Sequence, residues 1–262
     1  MRVLVTGAAS GLGAALVRRF AARGDRVFAT DLAESADVPP EVEYRRLDVR
    51  SGEDWEAVGR DVGASGGLDV LVNNAGIAGG GRIDRTDADE WRRLLDVNVL
   101  GVALGCREFA PVFKQQGSGH VVNIASLAGL VHPAGMSAYA ATKAAVVGMS
   151  ESLRHELRPW GVDVSVVCPS FFRTNLAASL TDEDPLMASI SAKLITKSPL
   201  DADAMAVRVV DAVDRRVFLI LPDGPAQKAY WTKRSDPRAY DAEMLDAGRR
   251  IRAAETDPTS RR

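Results

Sequence analysis

The chain of 262 residues is 46% hydrophobic, and its 33 Lys and Arg against 35 Asp and Glu give a formal net charge of −2. This length suits one large α/β domain, and the balanced charge argues against a nucleic-acid partner. No apolar run reaches the ~18 residues of a membrane span, and neither a signal peptide nor a CxxC pair is present, so a cytoplasmic, reducing setting without a membrane partner is expected.

Apolar runs that alternate with helical patterns predict an α/β fold. The predicted strands span residues 2–6, 25–31, 42–48, 68–74, 119–126, 162–168 and 216–222. After the first strand, Leu12, Leu16 and Phe20 recur at helical spacing, and Asp87 with Glu90 forms a capping box that starts a later helix. Strands separated by helices indicate a doubly wound parallel sheet with both faces covered.

Two segments depart from this alternation. Residues 175–200 form a long mixed insertion between the sixth and seventh strands, and insertions of that length are often functional. Residues 225–262 form a charged tail, in which the spacing of Tyr240 and Ile251 suggests a weakly amphipathic final helix. Both segments belong to the single domain that we expect for residues 1–262.

The first strand leads into TGAASGLG, residues 6–13, which predicts a phosphate-binding turn. Gly7 permits a tight turn, Gly11 lets backbone N–H groups approach a pyrophosphate, and Gly13 lets the following helix pack closely on the sheet. The helix N-terminus adds unpaired donors and the positive end of its dipole. Taken alone, such a turn is about as often an ordinary strand-to-helix connection.

Asp31 ends the second predicted strand, where an acidic side chain meets the ribose hydroxyls of a dinucleotide. Its charge would repel a 2′-phosphate, and neither Ser10 nor Leu32 supplies a cation to attract one. The sequence therefore favours NAD as the cofactor and makes NADP the less favoured alternative. A solvated carboxylate at a strand end is the other interpretation of Asp31.

Together with these residues, further motifs resemble those of the short-chain dehydrogenase/reductase family. TGAASGLG is similar to the family's TGxxxGxG motif, and NNAG at 73–76 to its fourth-strand motif. Ser126, followed by Tyr139 and Lys143, resembles its catalytic Ser and YxxxK, and Asn98 matches a fourth catalytic member. The resemblance implies a Rossmann fold with a seven-stranded parallel sheet and hydride transfer at an alcohol or carbonyl carbon.

The family pattern also implies a set of residues that bind the cofactor. They are Gly7, Ser10, Gly11, Leu12, Gly13, Asp31, Leu32, Asp48, Val49, Asn74, Ala75, Gly76, Tyr139, Lys143, Pro169, Phe172 and Thr174. Two departures from the pattern stand out. Ser170 occupies a position that is usually glycine, and the charged tail replaces the usual short, glycine-rich ending.

The pairing of Tyr139 with Lys143 has a chemical reason. Oxidising an alcohol needs a base, and free tyrosine, with a pKa of about 10, is a poor one at neutral pH. A cation about 4 Å away favours phenolate by roughly 4 kcal/mol at an effective dielectric of about 20, which is about three pKa units. Burial opposes this shift, so the nicotinamide charge is expected to contribute as well. A surface Tyr–Lys pair is the alternative, which Ser126 at a strand end disfavours.

Apolar residues near the motifs and in the insertion predict an alcohol or ketone substrate with an apolar body. They are Met136, Phe171, Phe172, Leu186, Met187, Ile190, Leu194 and Ile195, with His132 beside them. His120 and His155 are isolated and interpreted as structural, and no spacing indicates a metal site. The competing functions are a cofactor-sensing binding protein without turnover and an NADPH-dependent carbonyl reductase.

Surplus apolar residues in two helices predict a homodimer or homotetramer. One helix carries Val99, Leu100 and Val102, and the other carries Val146, Val147 and Met149. A helix that covers one side of a sheet needs a single apolar stripe, so the additional residues call for a partner. The family resemblance implies that the partner is the same helix pair of a second copy, related by two-fold symmetry.

Overall fold

The computed structural model describes residues 1–79, 81–181 and 183–256, and its centre is a seven-stranded parallel sheet. The strands are β1 (Arg2–Thr6), β2 (Arg26–Asp31), β3 (Glu43–Arg46), β4 (Val70–Asn73), β5 (Gly119–Ile124), β6 (Val162–Val167) and β7 (Leu219–Ile220). Their order across the sheet is β3-β2-β1-β4-β5-β6-β7. The predicted doubly wound fold is confirmed. The order reverses between β1 and β4, where the carboxyl ends of the strands open a crevice for ligands.

Helices cover both faces of the sheet. They are α1 (Gly11–Ala22), α2 (Gly52–Ala64), α3 (Ala88–Leu95), α4 (Gly101–Gln116), α5 (Ala128–Val131), α6 (Ser137–Leu157), α7 (Pro185–Thr196), α8 (Ala202–Asp214), α9 (Gly224–Ser235) and α10 (Pro237–Thr256). Alternation along β1 places Val3 and Val5 against α1 and α8, whereas Leu4 packs towards α2, α4 and α6. The two apolar layers hold the carboxyl edge of the sheet in place.

Helices α3 and α4 are joined by one π-helical turn, Asp96–Leu100. Asp87 caps α3 as predicted, because its carboxylate accepts hydrogen bonds from the backbone N–H groups of Asp89 and Glu90. The π turn carries Asn98, which is fully buried. Single π turns within helices are frequent at functional sites.

The insertion and the tail are more ordered than the sequence predicts. The insertion contains a 3₁₀ turn, Asn175–Ser179, followed by α7. The predicted final helix is confirmed as α10, which Pro237 begins and which contains Tyr240 and Ile251. A further helix that the sequence did not predict, α9, precedes it and is capped by Asp223. The strand predicted at 216–222 is also wrong in extent. It shortens to Leu219–Ile220, and Arg216, at the predicted start, adopts a left-handed backbone conformation with φ of 56° that does not belong to a strand.

Candidate active site

A cavity of about 850 Å³ lies at the carboxyl edge of the sheet, along the point where the strand order reverses. All of the predicted site residues except Gly13 and Asn98 line it. They are Gly7, Ser10, Gly11, Leu12, Asp31, Leu32, Asp48, Val49, Asn74, Ala75, Gly76, Ser126, Tyr139, Lys143, Pro169, Phe172 and Thr174.

The glycines after β1 stand where a side chain would collide with its surroundings. A Cβ atom on Gly13 would lie 2.0 Å from the carbonyl oxygen of Gly7, and one on Gly11 would lie 2.5 Å from Oγ1 of Thr174. Ser10 precedes α1, and its side chain makes no capping hydrogen bond to the first helical turn. The turn therefore offers a close backbone approach and helix N–H donors to an anion, which are the features that a pyrophosphate requires.

Asn74 braces this turn from the neighbouring strand. Its Nδ2 donates to the carbonyl oxygens of Thr6, at 2.8 Å, and Gly7, at 3.1 Å. In return, Oγ1 of Thr6 accepts from the backbone N–H groups of Asn74 and Ala75. The loop after β4 and the glycine turn after β1 are thus joined into one rigid floor.

Asp31 lies where the sequence predicts, at the end of β2. Its carboxylate accepts hydrogen bonds from the backbone of Ala9, at 2.9 Å, and Ala33, at 3.2 Å. Leu32 is exposed. Sequence reasoning missed Arg46, whose backbone is paired in register with Asp31 on the edge strand β3. Its guanidinium is bound to Glu34 and Asp54. No pattern in the sequence indicates this register.

Asp48 and Val49 line the same end of the cavity. Arg50 hydrogen-bonds the carboxylate of Asp48 and holds its pKa below the ordinary value. The carbonyl oxygen of Val49 accepts from Nε1 of Trp55 at 2.9 Å, and this bond fixes the loop after β3 to α2.

Ser126, Tyr139 and Lys143 meet at the other end of the cavity. Ser126 follows β5, whereas Tyr139 and Lys143 lie one turn apart near the start of α6. Ser126 is hydrogen-bonded to the Tyr139 hydroxyl. The ammonium of Lys143 donates to the carbonyl oxygen of Ile124 at 3.1 Å and lies 5.8 Å from the ring centre of Tyr139. Both side chains are buried, so the alternative of a surface pair is wrong.

Burial decides the protonation of this group. It raises the pKa of Tyr139 to about 12, against the opposing effect of the Ser126 hydrogen bond. It lowers the pKa of Lys143 to about 8. The Lys143 charge alone therefore does not lower the pKa of the Tyr139 phenol to about 7. Burial penalises both charged forms, and the ammonium is engaged by the carbonyl oxygen of Ile124. At neutral pH the phenol carries its proton.

Asn98 lies outside the lining of the cavity but next to Lys143. Its Oδ1 accepts from the backbone N–H of Ile77 at 2.9 Å, and its Nδ2 donates to the carbonyl oxygen of Ile77 at 3.0 Å. A Cβ atom on Gly76 would lie 3.1 Å from Oδ1 of Asn98 and 3.3 Å from Nζ of Lys143. The amide also donates to Oγ1 of Thr142 at 3.3 Å, and it thus fixes the loop after β4 beside the lysine.

The wall of the cavity beside Ser126 and Tyr139, called the substrate end below, is apolar. Only some of the apolar residues that the sequence predicts for it line the cavity. Met136, Phe171, Phe172 and Ile195 line the cavity. Leu186, Met187, Ile190 and Leu194 are not among the lining residues, because α7 turns one face to the cavity and the others to the domain or to solvent. His132 points to the tail, where its Nδ1 lies 2.8 Å from Nζ of Lys233.

Sequence reasoning also missed several residues of the lining. They are Arg50, Ile77, Arg93, Leu176, Ala178, Ser179, Leu180 and Ser191. Leu176 and Leu180 lie at helical spacing in the insertion and could have been found. No pattern in the sequence indicates a place for Arg93 in the lining. Its Nη2 donates to the carbonyl oxygens of Ala78 and Ser179, both at 3.3 Å, and these bonds tie the insertion to the loop after β4.

Ser170 and the charged tail, the two departures from the family pattern, are in contact with each other. The backbone N–H and the hydroxyl of Ser170 donate to the carboxylate of Asp223, at 3.0 and 2.6 Å. Asp223 is fully buried and also caps α9 by accepting from the backbone N–H of Ala226. A serine at this position therefore anchors the loop after β6 to the first helix of the tail.

Comparison with known proteins assigns the fold and site to a family. The short chain dehydrogenase family matches residues 1–185. The chain is 36% identical over 224 residues to 2-(R)-hydroxypropyl-CoM dehydrogenase of Xanthobacter autotrophicus, covering 80% of this chain and 88% of the relative. It is 40% identical over 178 residues to 3-alpha-(or 20-beta)-hydroxysteroid dehydrogenase of Mycobacterium tuberculosis, covering 65% and 68%.

Solved structures agree with this assignment. A short chain dehydrogenase/reductase from Burkholderia phymatum in complex with NAD has a TM-score of 0.83 at 30% identity, covering 91% of this chain and 94% of that one. A short chain dehydrogenase from Burkholderia cenocepacia in complex with NADP has a TM-score of 0.79 at 26% identity, covering 93% and 97%.

The chain belongs to the short-chain dehydrogenase/reductase family. It is an oxidoreductase that acts on CH–OH groups with a nicotinamide cofactor as acceptor. Within the described ranges, no three His, Cys, Asp or Glu side chains are arranged to hold a metal ion. No helix among the described residues has the length and apolarity to cross a membrane.

Proposed function

We propose that this enzyme interconverts a secondary alcohol and a ketone with an apolar body, that it prefers NAD(H), and that Tyr139 exchanges the proton. The observation that carries the proposal is the meeting of Ser126, Tyr139 and Lys143 at the end of the cavity where Met136 and Ile195 form an apolar wall. The hydroxysteroid relative supports an alcohol carried on an apolar ring.

The residues present fit a dinucleotide. The glycine turn with the first turn of α1 would hold the pyrophosphate, Asp31 the ribose, and Asp48 with Val49 the adenine. Asn74, Ala75 and Gly76 would lie along the centre, and Pro169, Phe172 and Thr174 near the nicotinamide. Leu12 and Leu32 would flank the pyrophosphate and the adenosine. A bound nicotinamide would accept or supply the hydride.

The protein's own groups handle the proton. The Tyr139 phenol, protonated at neutral pH, would donate to the oxygen of a ketone or, in the reverse direction, receive the proton of an alcohol. The Ser126 hydroxyl would donate to the same oxygen and share its developing charge. Lys143, with a pKa of about 8, would favour the phenolate when the proton leaves. Asn98 would keep the loop beside Lys143 in place through its bonds to Ile77.

Replacing Tyr139 by Phe tests the assignment. We expect turnover to fall at least a hundredfold, the usual range for a lost acid–base group, whereas NAD binding changes little. Turnover is followed by nicotinamide absorbance with a panel of cyclic and linear alcohols and ketones, and NAD affinity by calorimetry. Tyr230→Phe is the matched control, since the Tyr230 ring packs on Trp231 in α9, outside the cavity.

Two outcomes would overturn the proposal. Near-normal turnover of Tyr139→Phe would remove Tyr139 from the chemistry. A parent protein that binds NAD but turns over no member of the panel would favour the cofactor-sensing alternative.

The preference for NAD or NADP depends on two residues of opposite charge, Asp31 and Arg46. Asp31 favours NAD because its carboxylate would repel a 2′-phosphate, whereas Arg46, paired with it across the β2–β3 register, could attract one. The Arg46 guanidinium is already bound to Glu34 and Asp54, so we propose NAD as the preferred cofactor. An NADPH-dependent carbonyl reductase is the second candidate, and the ratio of kcat/KM for the two cofactors separates them.

We also propose that the protein forms a homodimer, with a homotetramer as the larger alternative. Val102 and Val146 are buried within this chain, and Val147 and Met149 pack against the same core, so these four residues are not surplus and the sequence argument is corrected for them. Leu95, at the end of α3, and Leu100, at the end of the π turn, remain 42% and 44% exposed. Light scattering should report about twice the chain mass of 28.0 kDa or a higher multiple. A species of single-chain mass would refute the assembly.

The expectation of a cytoplasmic, reducing setting stays a prediction. It is compatible with Cys106 and Cys168, which are both buried free thiols.

A further inference from the structure

The tail caps the end of α5 with side chains. Nζ of Lys233 donates to the carbonyl oxygen of Leu130 at 2.7 Å, and the hydroxyl of Tyr240 donates to that of Val131. Tyr240 is buried, with 5% of its surface exposed. Carbonyl groups at a helix C-terminus have no partner within the helix, so these two residues satisfy acceptors that would otherwise be left to water.

The tail also meets the insertion at a second place. A Cβ atom on Gly135 would lie 2.6 Å from Cε of Met187 in α7 and 3.2 Å from Cδ1 of Ile251 in α10. The wall residue Gly135 is therefore enclosed between the two helices. The ends of the Met187 and Ile251 side chains thus pack against the wall at Gly135, which brings α7 and α10 into contact with it at one point.

Ion pairs extend this contact to the start of α7. Arg82 binds the carboxylate of Asp184 through two nitrogens, at 2.8 and 2.9 Å, and Asp184 caps α7. Glu255 of α10 lies 2.7 Å from the same guanidinium. The end of the tail is thus connected through Arg82 to the helix that covers the substrate end.

The two anchored segments supply much of the substrate wall. Residues 128–136 contribute Ala128, Val131, Pro133, Gly135 and Met136 to the lining, and α7 contributes Ser191 and Ile195. The first segment also separates Ser126 from Tyr139 in the sequence. Within the described part of the chain, no residue of α9 or α10 lines the cavity. The tail can therefore act on substrate only through these walls.

We propose that α9 and α10 form an intramolecular buttress that sets the shape of the substrate end, with Lys233 and Tyr240 as positioning residues. The proposal rests on the proposed function in so far as the apolar end of the cavity receives the substrate. The glycine turn and Asp31 lie outside these contacts, so the buttress selects among alcohols and ketones and leaves the affinity for NAD unchanged.

Tyr240→Phe tests the buttress, because it removes one hydroxyl and keeps the ring. Lys233→Met removes the charge and its donors, and Lys233→Arg should restore the capping. Tyr230→Phe is the control within the same tail. Amide hydrogen exchange of residues 128–136, with residues 7–13 as the internal reference, reports on the wall without requiring turnover.

We expect Tyr240→Phe, which loses one hydrogen bond, to speed exchange at 128–136 about fivefold, and Lys233→Met, which loses its contacts with Leu130 and His132, to speed it at least as much. The KM for the best alcohol of the panel should rise by a similar factor, with kcat and the Kd for NAD within about twofold of the parent. Lys233→Arg and Tyr230→Phe should match the parent in both measurements.

Unchanged exchange at 128–136 in both variants, or an equal change in Tyr230→Phe, would overturn the buttress. So would a loss of NAD affinity that parallels the rise in KM, since that would make the tail a general stabiliser. If Tyr139→Phe retains turnover while exchange responds as expected, the proposed chemistry fails and the buttress stands.

Discussion

The two ends of the cavity are built in different ways. At the cofactor end, backbone atoms approach so closely that Gly13 has no room for a Cβ atom, and the side chains of Asn74 and Thr6 hold the turn to the neighbouring strand. At the substrate end, side chains join segments that are far apart in sequence: Lys233 reaches Leu130 over 103 positions, and Tyr240 reaches Val131 over 109.

This difference has a consequence for how each end can change. A cradle made of backbone admits almost no substitution, because any added atom displaces the chain itself. A wall held by side-chain contacts can be reshaped by exchanging the residues that support it. The cofactor end should therefore respond to mutation by loss of binding, and the substrate end by graded changes in KM.

The largest expected effect comes from Gly13→Ala at the cofactor end. The new Cβ atom would lie 2.0 Å from the Gly7 carbonyl oxygen and 2.5 Å from Nδ2 of Asn74, so the turn must move. We expect a loss of about 1–3 kcal/mol in the free energy of unfolding. The affinity for NAD should fall by a larger free energy than the stability does. Thermal unfolding and calorimetric titration with NAD measure the two effects.

Gly63→Ala in α2 is the control for this prediction. A Cβ atom there meets nothing within 4 Å, so the variant should bind NAD normally and gain up to about 1 kcal/mol of stability from helix propensity. If Gly13→Ala binds NAD as well as Gly63→Ala does, the cofactor end is more adaptable than its contacts indicate.

A smaller effect is expected from changing the charge at the end of β2. Asp31→Ala combined with Leu32→Arg removes the carboxylate that would repel a 2′-phosphate and adds a cation at an exposed position. We expect the ratio of kcat/KM for NADP to that for NAD to rise at least tenfold, the order of one charge-assisted contact.

Arg46→Ala in the parent background removes the positive charge and keeps Asp31, so it measures the effect of Arg46 on cofactor preference by itself. If NADP use depends on Arg46, that variant alone should lower it. A parent enzyme that already prefers NADP, or a double variant that still strongly prefers NAD, would contradict the interpretation of Asp31.

The cofactor end was predictable because its determinants are local. TGAASGLG specifies a strand, a turn and a helix start within eight residues, and Asp31 follows from the end of the next strand. The sheet was predictable for a similar reason, since each strand is a short apolar run between helical patterns. Helical spacing places Tyr139 and Lys143 one turn apart, and Ser126 with the family resemblance assigns them to the site, although their burial and the resulting pKa values do not follow from the sequence.

The substrate end was not predictable to the same degree. The direction of His132 depends on Lys233, which no local pattern brings near it. The two tail helices depend on the capping of α9 by the buried Asp223 and on the docking of Tyr240. At the cofactor end, the place of Arg46 also depends on packing, because strand register brings it beside Asp31. The family resemblance named Asn98, but its place in a π turn is set by packing between elements.

The smallest expected effect concerns pH at the substrate end. Lys233 has only donors, so Nδ1 of His132 must accept at 2.8 Å, and Nε2 then donates to the carbonyl oxygen of Gly129 at 3.2 Å. This arrangement needs a neutral imidazole. Burial, with the nearby Lys233 charge, lowers the pKa of His132 below its ordinary value of 6.5.

Because the folded protein binds a proton at His132 less readily than the unfolded chain does, this contribution to stability is complete above about pH 6.5 and declines as the pH falls. Amide exchange at residues 128–136, corrected for its intrinsic rate, should therefore be faster at about pH 5.5 than at about pH 7.5, whereas residues 7–13 should show no such change. His132→Asn removes the titrating ring and tolerates the left-handed backbone at this position, where φ is 52°. In that variant the exchange rate at residues 128–136 should not depend on pH. An undiminished pH dependence would show that another group of the wall titrates. The contact between His132 and Lys233 would then contribute little to holding the wall in place.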